Sequence, residues 1–80
     1  MGRTTPTVRQ SMEIIAKRYE KMKQVMRRED VEIFEKILIM GRQHSPEISY
    51  GSVDPEMGFI ISALIEIMKR IEDQGGNRQG

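Results

Sequence analysis

The sequence predicts an all-α fold: a three-helix domain made of an antiparallel helical hairpin, a loop and a third helix, assembled as a helical homodimer. Three observations point there. Apolar residues recur at spacings of three and four in three separate stretches. Each stretch is bracketed by capping or turn residues. Ile and Met carry most of the apolar content, with only two Tyr, two Phe and no Cys in 80 residues, a composition that suits a helical bundle better than a β-sandwich.

Residues 1–6 (MGRTTP) read as an N-terminal arm, residues 7–74 as a single helical domain and residues 75–80 as a disordered tail. Thr7 with Gln10 three positions on forms a capping box. Val8, Met12, Ile15, Tyr19, Met22 and Met26 then follow at spacings of 4, 3, 4, 3 and 4, a heptad seam. The first helix is expected to run from Val8 to Arg27 or Arg28. Asp30 is the expected cap of the second helix, whose inward stripe is Phe34, Ile37, Leu38 and Gly41. The short break between the two forces an antiparallel hairpin. Residues 43–54 read as a loop, with turn signals at Ser45-Pro46 and Gly51-Ser52. Asp54-Pro55-Glu56 marks a strong helix start, and Gly75-Gly76 marks the stop.

The third helix is the most informative stretch. At roughly 100° per residue, Met57, Ile60, Ile61, Ala63, Leu64, Ile65, Ile67, Met68 and Ile71 cover about 200° of its surface. Ser62, Glu66, Lys69, Arg70 and Asp73 occupy the remaining arc, the expected wet side. Phe59 falls inside that arc; either the loop around Tyr50 or Val53 folds over it, or it is an exposed contact. The apolar excess has two readings. The helix is wedged between two others of its own chain, or one side faces a second subunit. The second reading is favoured because an 80-residue chain is marginal alone, and without cysteine oligomerisation is the remedy left. The expected interface comprises Met57, Ile60, Ile61, Leu64, Ile65 and Met68, with Ile14 and Val25, which stand off the seam of helix 1. Another protein's helix is a further possible occupant.

Catalytic chemistry finds little footing. With no Cys and one His, neither a thiolate nor a multi-histidine metal site can form. No cofactor is expected, and Gly51-Ser52 lacks the glycine spacing and lysine of a phosphate loop. Asp54 reads as a cap, and His44 as a partly exposed residue near the negative end of helix 2. The chain is therefore expected not to be an enzyme. The apolar run, broken by Ser62 and Glu66, falls short of a membrane span of about 20 residues. GRTTPTVR after Met1 is no apolar signal segment, so a cytoplasmic location is expected.

Charge is segregated along the chain. Residues 1–42 hold ten Lys/Arg against six Asp/Glu, and residues 43–80 hold three against six. A basic arm and first helix, through Arg3, Arg9, Lys17, Lys21 and Arg28, could contact phosphates without reading sequence. A solvated helix face explains the same pattern. Near-absence of aromatics and a net charge of +1 weigh against nucleic acid.

GRTTPTVR at 2–9, Asp30 and Phe34 in helix 2, and Tyr50 with Asp54-Pro55-Glu56 together resemble a family of small, uncharacterised archaeal proteins that open G-R-T-x-P-T and later carry D-P-E. The resemblance spans most of the chain, although the position after Thr4, often Asn in that family, is Thr5 here. It implies an archaeal source and no established activity, and it carries over no functional residues.

Overall fold

The computed structural model describes residues 7–75; the expected arm, with Arg3, and the tail after Gly75 lie outside the described residues. Four α-helices follow one another, with no strand among the described residues: α1 (Val8–Glu20), α2 (Arg28–Met40), α3 (Ser45–Tyr50) and α4 (Pro55–Gly75). A 3-10 turn, Lys21–Val25, extends α1.

Local chemistry explains the starts. Thr7 Oγ1 accepts from the Gln10 amide at 3.1 Å, and Gln10 Oε1 accepts from the Thr7 amide at 3.0 Å, closing the capping box. Asp54 Oδ2 accepts from the amides of Glu56 and Met57, both at 3.1 Å, two of the donors that a helix start leaves unpaired. At α2 the cap position falls on Arg27, which makes no side-chain cap bond, and Asp30 sits with Glu29 inside the first turn. The acidic pair there acts on the helix dipole and does not cap. Met26 and Arg27 are extended, and these two residues reverse the chain.

The stretch expected to be all loop contains α3, so the domain has four helices where three were expected. Pro46 lies in the first turn of α3, where a missing N–H costs nothing. The helix is held by Ile48, which is buried in the core. A Schellman motif ends it: Val53 N–H donates to Ile48 O and Ser52 N–H to Ser49 O, each at 3.2 Å. Ser52 takes the left-handed position, φ 55°, which costs an L-residue about 1–2 kcal/mol. Ser52→Gly is expected to raise stability by up to about 1 kcal/mol, measured by urea denaturation.

Met12, Ile15 and Ala16 of α1, Leu38 of α2, Ile48 of α3 and Phe59 of α4 form the core, with Val8, Tyr19 and Phe34 against it. The heptad seam of α1 thus faces inward until the 3-10 turn, where Met22 emerges into solvent. Ion pairs Lys23–Glu35 (2.9 Å) and Arg42–Glu13 (3.2 Å) tie opposite ends of α1 and α2 together, so the two run antiparallel. The backbones of both nonetheless lie closer to α4 than to each other.

Close approach to α4 depends on small residues. A Cβ on Gly41 would stand 2.6 Å from Cδ1 and Cζ of Phe59, and one on Gly58 would stand 2.7–2.9 Å from Ile48. Neither distance is tolerable for carbon atoms in a packed interior. Phe59 is 2% exposed and meets Tyr19 edge-on at 5.6 Å. It is therefore a core residue filling the space over Gly41; Tyr50 and Val53 are both exposed and take no part in its core cluster. The molecule is thin, with principal extents of 54 × 35 × 13 Å. The least extent holds no more than two helix backbones packed about 8–10 Å apart.

Candidate functional site

α4 turns inward Ser62 and Glu66 of the arc that the sequence marks as wet, with Phe59 and, from the apolar set, Ala63, while Lys69, Arg70 and Asp73 of that arc stay exposed. Gly58, Phe59, Ser62 and Ala63 are buried, and Glu66 is mostly covered. Ser62 is 0% exposed, and its hydroxyl donates to Met40 O at 2.6 Å, a carbonyl at the end of α2 that also accepts from the Gln43 amide at 3.3 Å. Met57, Ile60, Ile61, Leu64, Ile65, Met68 and Ile71 all stay exposed, Leu64 at 55%. Around the helix axis the centres of these two faces lie roughly 160° apart. The apolar side is therefore the outer face of the molecule, and the wedge between two helices of one chain does not occur.

Beside that face runs an apolar groove of about 330 Å³, lined by Tyr19, Met22, Phe34, Ile37, Ile60 and Leu64 among others. Ile60 and Leu64 belong to both, so groove and face form one continuous surface. Met22, Phe34 and Ile37 were not among the expected interface residues. Their membership depends on how α1 and α2 meet α4, which no spacing within one helix reveals. Ile14 projects roughly 160° round α1 from the core stripe, on the side away from α4. Val25, 91% exposed, ends the 3-10 turn outside the groove lining.

A second constellation surrounds the single histidine. His44 Nδ1 lies 2.8 Å from Glu47 Oε2, and Nε2 lies 2.8 Å from Glu66 Oε2. Both partners are carboxylates, so the doubly protonated ring donates from each nitrogen. Glu66 also receives Lys69 at 3.1 Å, with Arg70 at 3.7 Å. The hydrogen bonds to Glu47 first, then Glu66, raise the His44 pKa above 6.5. The bond from His44 lowers Glu47 and, with Lys69 second, lowers Glu66 below 4.5. Bonded through both nitrogens, His44 clamps the α2–α3 junction to α4. It is partly exposed, as expected from sequence, and its ring is held by two carboxylates. Among the described residues no group of three His, Asp or Glu side chains is placed to hold a metal ion.

The clamp makes stability depend on pH. The raised His44 pKa gives stabilisation that is full below 6.5 and lost as pH rises through the folded value. The lowered Glu47 and Glu66 values give stabilisation present above 4.5 and lost as pH falls through their folded values. Denaturant midpoints should therefore be highest between those limits. His44→Gln should remove the decline on the alkaline side; an unchanged profile in that variant would exclude the clamp.

A smaller network joins α1 to the start of α4. Tyr19 Oη donates to Glu56, and Arg18 pairs with Glu56 at 3.1 Å. The bond to Tyr19 is the main cause that lowers the Glu56 pKa, and the same bond raises that of Tyr19.

The expected phosphate-contacting cations are spread over three successive elements. Arg9 and Lys17 are exposed on α1 with Glu13 between them in the same row, Lys21 opens the 3-10 turn and Arg28 opens α2. Arg18, Lys23, Arg42, Lys69 and Arg70 each pair with a carboxylate. Among the described residues Arg9, Lys17, Lys21 and Arg28, like Arg27 and Lys36, make no such pair.

No described helix is long and apolar enough to cross a membrane. No curated protein and no solved structure matches the chain. The model of one family does match it, over residues 1–79, and the chain belongs to that family, described as a domain of unknown function (DUF8156).

Proposed function

We propose that the chain is a non-enzymatic structural and interaction module that self-associates through the outer face of α4. One observation carries this reading: fourteen large hydrophobic residues are exposed and only eight apolar residues are buried among the described residues. Half of the exposed set lies on one side of α4. Monomeric proteins rarely leave contiguous apolar patches beyond a few hundred Å². The seven α4 side chains expose on the order of 650 Å² in one copy, or about 1,300 Å² across two, within the about 1,200–2,000 Å² of specific interfaces. If assembly and folding are linked, the thermal midpoint rises with protein concentration between about 1 and 100 μM. A midpoint independent of concentration would count against the reading.

Exposed cations of α1, the 3-10 turn and the start of α2 support a second reading, a sequence-nonspecific nucleic-acid contact through Arg9, Lys17, Lys21 and Arg28, joined by Arg3. Its support is that these four side chains are exposed and, among the described residues, make no ion pair with a carboxylate. Binding to duplex DNA should then weaken steeply with added salt and with the paired change Lys17→Glu and Lys21→Glu; absence of binding at low salt would dismiss it. The archaeal source and cytoplasmic location suggested by the sequence are compatible with either role.

A further inference from the structure

We propose that the occupant of the outer face is α4 of a second copy, lying antiparallel, with the two-fold axis passing beside Leu64. This rests on the self-association reading and adds to it a register and a direction. The centre line of the exposed face is Met57, Ile61, Leu64, Met68 and Ile71, at spacings of 4, 3, 4 and 3. That is the seam of a helix packing knobs into holes against another helix. All five are exposed, so no helix of the same chain occupies the seam.

Direction follows from symmetry. An antiparallel pair about Leu64 sets position 57 against 71, 60 against 68 and 61 against 67. Every one of these six is Ile or Met, so apolar side chains stand at matching levels when the helix is reversed, while Ile65 comes level with the small Ala63. A two-fold interface demands this self-complementarity. A parallel pair would instead set Glu72, beside the seam and bordering the shallow hollow of Ile61, Leu64, Ile65 and Met68, against its own copy. It would also align the dipoles of two 21-residue helices side by side.

Residues 1–6 and 76–80 carry only Met1 and Pro6 as apolar residues, too few to shield seven. The Ile60–Leu64–Ile67 row borders the groove formed with Met22, Phe34 and Ile37. Side chains of the second α4 that overhang the seam meet apolar surface there and not water.

The chain has no cysteine, so single cysteines report pairing directly. Met57→Cys and Ile71→Cys, purified separately, mixed and exposed to a mild oxidant, should form the mixed disulfide in at least tenfold excess over either self-disulfide. Leu64→Cys should link to itself. A dominant Met57→Cys self-disulfide would overturn the antiparallel direction. A dimeric mass with none of these links would place the contact on another face and overturn the register. A monomeric mass for the unmodified chain would instead remove the self-association reading itself, and with it this proposal.

Discussion

Leu64→Glu is expected to turn the protein into a folded monomer. Leu64 sits at the middle of the outer face and lies outside the core cluster of Met12, Ile15, Ala16, Leu38, Ile48 and Phe59. In one copy its side chain is more than half in water, so a carboxylate there meets little obstacle. In the pair two such carboxylates would face each other across the axis, away from solvent. Burying an unpaired charge costs several kcal/mol, and each 1.4 kcal/mol is tenfold in affinity. Association should weaken by at least about 1,000-fold, while far-UV circular dichroism keeps its helical signature. Ile61→Glu should behave alike. The sequence suggests that both changes damage core and assembly together; the position of these side chains outside the core separates the two effects. Joint loss of helicity and mass in Leu64→Glu would show that the fold does not survive without its partner.

Phe59→Ala is expected to be the most damaging change to the fold. The ring is buried, meets Tyr19 and covers Gly41, whose missing Cβ makes room for it. Truncating a buried Phe costs about 3–5 kcal/mol, out of a total stability of about 5–15 kcal/mol for ordinary domains. The variant should lose most of its urea-resistant population. The complementary change, Gly41→Ala, forces its methyl group into the ring and should cost about 1–3 kcal/mol. Because the two sites share one space, the pair Gly41→Ala with Phe59→Leu should be more stable than the sum of the single changes implies. Strict additivity in that cycle would refute the shared space.

Features set by neighbours in sequence were legible. Thr7 with Gln10 and Asp54 with the amides after it act within three residues, and the structure has both. The seam of α1 was legible because Met12 and Ile15 follow helical spacing toward one core. α3 was not, since Ser45-Pro46 and Gly51-Ser52 read equally as turns; burial of Ile48 decides for helix, and that contact is tertiary. The identity of the α4 apolar face was legible, but its direction was not. Hydrophobicity assigns the greasier side to the core, whereas this core needs small residues at 58, 62 and 63 for close helix approach, and Glu66 for His44. Phe59, the one large apolar residue inside the polar arc, was the signal that this arc faces inward. The groove could not be foreseen because it joins side chains from three helices.

Light scattering on the purified chain at micromolar concentration tests the central claim most directly. The outer face of α4, closed by a second copy, predicts twice 9.3 kDa. A mass of 9.3 kDa with the full helical signal, unchanged on concentration, would contradict it.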